Sequence, residues 1–235
     1  MIPLFIENYR VNYSSRKEHD MDKSTACAQV YGLFAEFCKE PVESFYQALV
    51  NGQVDAELTE YFRHINCPLL PGLGRRSEMT GGFSRYKEQY LRVFNGPSVP
   101  FYPPVESMYR VWTVDETARV PWAKEKRHYF SDGALHVQYI FEALGLAIPE
   151  EFRYTPDHLA LELELVSLLM LHAKEEDKRR FLRDHLAWLN ELAADLNSLE
   201  EGRFLAKVVN FIDQFIAWDL QTTTQESEVR IQESE

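Results

Sequence analysis

The chain has 235 residues, of which 45% are hydrophobic and 13% aromatic, and its formal net charge is −12. That length and apolar content suffice for one sizeable domain or two small ones and argue against global disorder. The acid excess excludes nucleic-acid binding through the overall field, which needs basic surface, and instead favours solubility and basic partners.

Residues 1–22 are mixed and irregular. Their apolar start, "MIPLFI", precedes the charges, the reverse of a secretory signal. No run is long and apolar enough to cross a membrane, since "LALELELVSLLML" is interrupted by Glu162 and Glu164. The expected location is the cytoplasm. The cysteines, Cys27, Cys38 and Cys67, are odd in number, widely spaced and without a CxxC. A disulfide framework is therefore not expected, in keeping with a reducing compartment. Cys27 and Cys38 fall in an apolar helical pattern and read as small core residues. His64 and Cys67 in "HINC" lack two further ligands nearby, so no metal site is expected.

From Ser24, a plausible N-cap, Cys27, Val30, Tyr31, Phe34, Phe37 and Cys38 recur at spacings of three and four and predict the first helix. Pro41 suits the first turn of a second helix that stops at Gly52. A third is predicted over 54–65 and a fourth over 83–94. Four prolines between 97 and 104 predict a stiff extended loop over 95–104. A short helix is expected from Glu106. Residues 124–145 read as helical for much of their length, with "SDG" at 131–133 as a break point. The clearest helices are predicted over 156–173, 176–197 and 200–219. The polar segment 221–235 reads as a disordered tail. The expected fold is therefore all-α: a compact bundle of about eight to ten helices spanning 23–220, with no sheet.

No phosphate loop, GxGxxG after a strand, GxSxG or HExxH is present. The Asp157–His158 pair recurs as Asp184–His185. Adjacent residues on a helix point about 100° apart, so each pair offers one inward group. His185 lies in the apolar stripe of its helix and reads as a hydrogen-bonded core histidine. In "TPDH" (155–158), Thr155 suits an N-cap, Pro156 the first helical position, and Asp157 the positive end of the helix dipole, worth roughly 0.3–1 kcal/mol. His158 is not explained in this way. It should be neutral or face a carboxylate.

Four segments, in order, resemble the TorD/DmsD family of molybdoenzyme chaperones, the redox enzyme maturation proteins. They are "VYGLFAEFCKEPVESFYQAL" (30–49), "YLRVFNGPSVPFYPPVESMYR" (90–110), "LGLAIPEEFRYTPDHLALELELVSLL" (144–169) and "FLRDHLAWLNELAADL" (181–196). The resemblance spans about residues 25–219. It implies a non-enzymatic chaperone with no cofactor of its own. Such a protein binds the twin-arginine leader, or the apo form, of a molybdenum-cofactor oxidoreductase subunit, and delays export until the cofactor is inserted. The leader-binding residues it implies are Phe94, Gly96, Pro97, Pro103, Pro104, Glu106, Ser107, Tyr109, Asp157 and His158. Two positions depart from the family pattern: Val105, where some relatives have Trp, and Tyr154, where Glu is usual. Some members of the family bind guanine nucleotide, for which this sequence gives no independent support. The alternative is a helical nucleotide-binding protein or hydrolase using the two Asp-His pairs, and it requires those side chains to converge.

Overall fold

A computed structural model describes residues 21–73, 81–96 and 100–232 of the protein, with 223–232 described by backbone alone. The regular elements are α1 Lys23–Phe37, α2 Glu43–Val50, α3 Gln53–Ile65, α4 Gly82–Phe94, α5 Asp132–Ala143, α6 Leu159–His172, α7 Glu175–His185, α8 Leu189–Asn197 and α9 Arg203–Gln232. Short 3-10 turns lie at Glu106–Met108 and Glu150–Phe152. Among the described residues there is no strand, only an isolated antiparallel bridge between Val105 and His158. The all-α expectation therefore holds. Among the described residues no helix is long and apolar enough to cross a membrane.

The core is built on α1 and α6, the two helices that pack most closely, with α3 also against α1 and α8 against α9. In α6 the consecutive residues Leu159, Ala160, Leu161, Glu162 and Leu163 are all buried, so its first half has no solvent face. α1 is similarly buried through Ala26, Cys27, Ala28, Val30 and Tyr31. A helix apolar all round is a central helix, and the others lay their apolar stripes over this pair. Aromatic rings fill the joint between α1, α3 and α9. Phe62 stacks on Phe215 with centroids 5.4 Å apart and planes 7° apart, while Tyr31 and Phe34 meet Phe215 edge-on. The Tyr31 hydroxyl donates to Asp219 Oδ2 at 2.8 Å, satisfying a phenol that would otherwise be buried bare. Cys27 and Cys38 are buried and unpaired, as the pattern predicts, and His64 Nε2 turns to Glu60 Oε1 at 3.0 Å.

Several boundaries differ from the sequence reading, each for a visible reason. The first helix is capped by Asp22, whose carboxylate accepts the Thr25 N–H at 2.7 Å, rather than by Ser24. α2 starts at Glu43, so Pro41 lies ahead of its first turn. Residues 113–131 run through turns, and α5 starts only at Asp132. Arg127 and Phe130 have left-handed φ of 71° and 59° there, which no helix accommodates. The Asp132 carboxylate then takes the Thr113 hydroxyl and the Val114 N–H at 2.8 and 3.0 Å, fixing the break. The predicted helix 176–197 is two helices. The Trp188 indole N–H donates to the His185 carbonyl at 2.6 Å, and Arg110 Nη2 to the Asp184 carbonyl at 2.8 Å. Those side chains satisfy the carbonyls that end α7. The last helix continues to Gln232, so residues 221–232 are helical where their polar composition led to an expectation of disorder. Glutamate and glutamine there are good helix formers, and propensity outweighs polarity. Residues 1–20 and 233–235 lie outside the described residues.

Phe215 is fully buried among four rings. Phe215→Ala should lower stability by about 3–5 kcal/mol, seen as a drop in the urea midpoint with an unchanged slope.

Candidate functional site

The Pro-rich segment and the Asp-His segment are joined along their backbones. The segment leaves α4 at Gly96, where a Cβ would stand 2.2 Å from the Arg92 carbonyl oxygen, so only glycine fits. It folds back as the Tyr102 N–H donates to the Val93 carbonyl at 2.7 Å. Pro104 has no N–H, but its carbonyl accepts the Leu159 N–H at 2.8 Å, and the Glu106 N–H donates to the Asp157 carbonyl at 3.0 Å. Val105 and His158 sit between these two bonds as the bridge.

Asp157 locks the junction. Its carboxylate is buried, and Oδ2 accepts both the Ser107 N–H at 2.7 Å and the Ser107 hydroxyl. The Ser131 N–H donates to Ser107 Oγ at 3.0 Å, and the two serine hydroxyls lie 2.8 Å apart. Ser107 thus links the Asp157 segment to the start of α5. Burial pushes the Asp157 carboxyl up, against the lowering pull of the Ser107 bonds. Its Oδ1 has no hydrogen-bond partner.

This geometry corrects the reading of "TPDH". Thr155 is not the N-cap, and Pro156 and Asp157 are not in the first turn. The cap is His158, with α6 starting at Leu159. His158 Nδ1 accepts the Ala160 N–H at 3.2 Å, which requires that nitrogen to be unprotonated. Burial pushes the His158 imidazole down to about 3, so the ring is neutral near pH 7, as the helix dipole demands. Its ring also meets Phe152 at 4.7 Å.

A second buried group adjoins the first. Glu106 Oε2 accepts from His185 Nδ1 at 2.8 Å, and His185 Nε2 lies 2.8 Å from Nδ1 of His136. Arg110 Nε approaches the other Glu106 oxygen at 3.5 Å. Glu162 enters from α6 with no hydrogen-bond partner on either oxygen. Burial, then the neighbouring Glu106 and Asp157, push its carboxyl well up from the usual carboxylate range. Gly133 makes room for the cluster, since a Cβ on it would stand 2.6 Å from Glu106 Oε2. Beside the cluster, Tyr109 stacks on Trp188 at 4.9 Å, and the Arg127 guanidinium lies 4.7 Å from the Tyr109 ring centre.

The residues singled out in the sequence therefore come together, but mostly inside the protein. Phe94, Gly96, Pro103, Pro104, Glu106, Ser107, Tyr109 and Asp157 are buried, and His158 alone among the described ones is partly open to solvent. Pro97 lies outside the described residues. Of the two departures from the family pattern, Val105 is buried, while Tyr154 is 63% exposed beneath the Arg153 guanidinium at 4.3 Å. The four Asp-His side chains have separate partners. Asp157 bonds Ser107, His158 caps α6, His185 bonds Glu106, and Asp184 is exposed. Sequence reasoning missed Ser131, Gly133, His136 and Glu162. Only Glu162 had a signal, as a carboxylate in the most apolar run of the chain.

Residues 53–216 match the family described as nitrate reductase delta subunit. A crystal structure from Archaeoglobus fulgidus, of a protein described as a redox enzyme maturation protein, is similar at 18% identity and a TM-score of 0.49, covering 79% of this chain and 93% of that one. No curated protein matches the chain.

Two outcomes follow from the geometry. Gly133→Ala should force Glu106 off its position and cost about 1–3 kcal/mol, measured by urea unfolding. For His158, the folded-state value lies below the unfolded one. The unfolded chain therefore takes up the extra proton, and stability is lost as pH falls from about 6.5 toward 3. Asparagine caps as well without titrating. His158→Asn should accordingly lose less stability than the wild type between pH 6.5 and 4.5, read from paired urea melts.

Proposed function

The chain belongs to the nitrate reductase delta subunit family of redox enzyme maturation chaperones, and we propose that it acts in the cytoplasm on a molybdenum-cofactor oxidoreductase subunit. In this reading it binds that subunit's twin-arginine leader and holds the precursor until cofactor insertion is complete. The chain contributes shape and charge rather than covalent chemistry. The observation that carries the reading is the junction itself, where Asp157 and Ser107 fasten together the two segments to which the family resemblance assigns leader binding.

A twin-arginine leader presents two guanidinium groups followed by an apolar stretch, so its receptor needs carboxylates beside apolar surface. The net charge of −12 draws such a peptide in. The buried members of the junction position the surface, and contact with the peptide falls on groups that solvent already reaches. Those are His158, Phe101 and Tyr102, all part-exposed, and the exposed ring of Tyr154. Burying three or four apolar leader side chains is worth roughly 1.5–3 kcal/mol each. Ordering the peptide opposes this by about 2–5 kcal/mol, with association entropy in addition. The balance corresponds to about micromolar affinity, which suits a chaperone that must release its client.

Fluorescence anisotropy with a labelled leader encoded near the chaperone's gene should show saturable binding at about micromolar concentration. Changing both leader arginines to glutamine, or making the apolar stretch polar, should weaken it at least about tenfold, or 1.4 kcal/mol. Absence of binding to every such leader would reject the reading. Equal competition by an unrelated apolar peptide would leave only a generic helical scaffold.

A further inference from the structure

Glu106, Glu162 and His185 are buried, and each offers a donor atom within 4.8 Å of the other two. Ligands around a tetrahedral ion with bonds of about 2.1 Å stand about 3.4 Å apart, so small side-chain rotations bring these donors into range. An acidic group alone does not make a site. The second observation is Glu162, fully buried and facing the Glu106 carboxylate, with no donor on either oxygen. A proton shared with Glu106 satisfies one Glu162 oxygen but leaves the other bare in a dry interior. A cation meets both needs.

We propose that Glu106, Glu162 and His185 bind a divalent first-row transition ion of the Zn2+ or Mn2+ class. Two carboxylates and one imidazole suit that class better than Mg2+ or Ca2+, which take oxygen ligands alone. The surroundings supply the other parts of such a site. His185 coordinates through Nδ1, the nitrogen that faces Glu106, and turns its Nε2–H toward Nδ1 of His136 at 2.8 Å. A metal-bound histidine usually donates its second N–H to an acceptor of this kind. His136 Nδ1 stands where that acceptor is needed. His136 is exposed, so the pair of imidazoles links the buried cluster to solvent. Gly133 keeps the Glu106 side of the site open. Coordination needs both Glu162 and His185 Nδ1 free of their protons, so protons leave as the ion enters. The site lies one residue from Ser107 and its bond to Asp157, and occupancy stiffens the junction between the two motif segments.

The test uses the full chain, stripped with a chelator and titrated with Zn2+ by calorimetry in two buffers of different ionisation enthalpy. Expected are one ion per chain, net proton release and a rise in Tm. Glu162→Gln, a neutral isostere of the protonated acid, should fold at least as well as the wild type. It should lose Zn2+ affinity at least about tenfold and release fewer protons. Co2+ added to the stripped chain should give d–d bands that Glu162→Gln abolishes. Unchanged Zn2+ binding in Glu162→Gln, or none in the folded wild-type chain, would overturn the assignment. Leader binding is measured separately on the stripped chain. Its absence from both the stripped and the Zn2+-loaded chain, with Zn2+ binding intact, would reject the leader reading alone.

Discussion

One buried carboxylate organises the chemistry of this chain. Asp157 Oδ2 takes both the N–H and the hydroxyl of Ser107, from a segment 50 positions away in sequence. A hydrogen bond to a charged group contributes about 1.5–3 kcal/mol, and two to the same oxygen leave little freedom for either segment. The consequences run outward from there. Leu159 pairs with Pro104, which sets where α6 begins. Glu106 is then aimed at His185, and Ser107 reaches Ser131 at the start of α5. The Pro-rich segment is stiff for a local reason, its prolines. It is placed for a non-local one.

The same constraint separates the two glutamates of the α6 apolar run. Glu164 pairs with Lys39, which also bonds Glu36 at 2.8 Å, so its charge has an explanation within the core packing. Glu162, half a turn earlier on the same helix, faces Glu106, and the nearby Arg110, which approaches Glu106, offsets its charge only in part. Replacing such a group with leucine would remove an uncompensated desolvation cost. A carboxylate that structure alone does not justify is better explained by something it binds, which is what singles out Glu162 in this fold.

Most of the architecture was legible in the sequence because it rests on local periodicity. The stripe from Cys27 to Cys38 and the turn at Gly52 both survive in the structure. The errors cluster where tertiary bonds overrule local signals. Thr155, Pro156 and Asp157 read as a helix start, yet the bridge between Val105 and His158 holds them out of the helix and shifts the cap to a histidine. The apolar stripe through 176–197 runs on across a break because its register is nearly kept. What ends α7 is a tryptophan and an arginine that reach its last carbonyls. The site was half legible. The family resemblance named both segments of the junction, but Ser131, Gly133 and His136 act only through contacts with residues distant in sequence.

Burial then changes what the motif residues mean. A side chain recognised in many relatives is easily taken for the one that touches the client. Here Glu106, Ser107 and Asp157 are closed off from solvent, with their hydrogen bonds turned to one another or to the core. A leader reaching them would have to open the junction and leave Asp157 unpaired, at a cost comparable to the whole gain from burying one or two of its own side chains. On the proposed reading, the peptide therefore meets groups that solvent reaches, such as His158 and Tyr154. Of these, Tyr154 is where the chain departs from its family. Where that pattern has glutamate, this chain presents an arginine-covered ring. The fastening of the two segments is buried, and exposure leaves a partner only such positions as His158 and Tyr154.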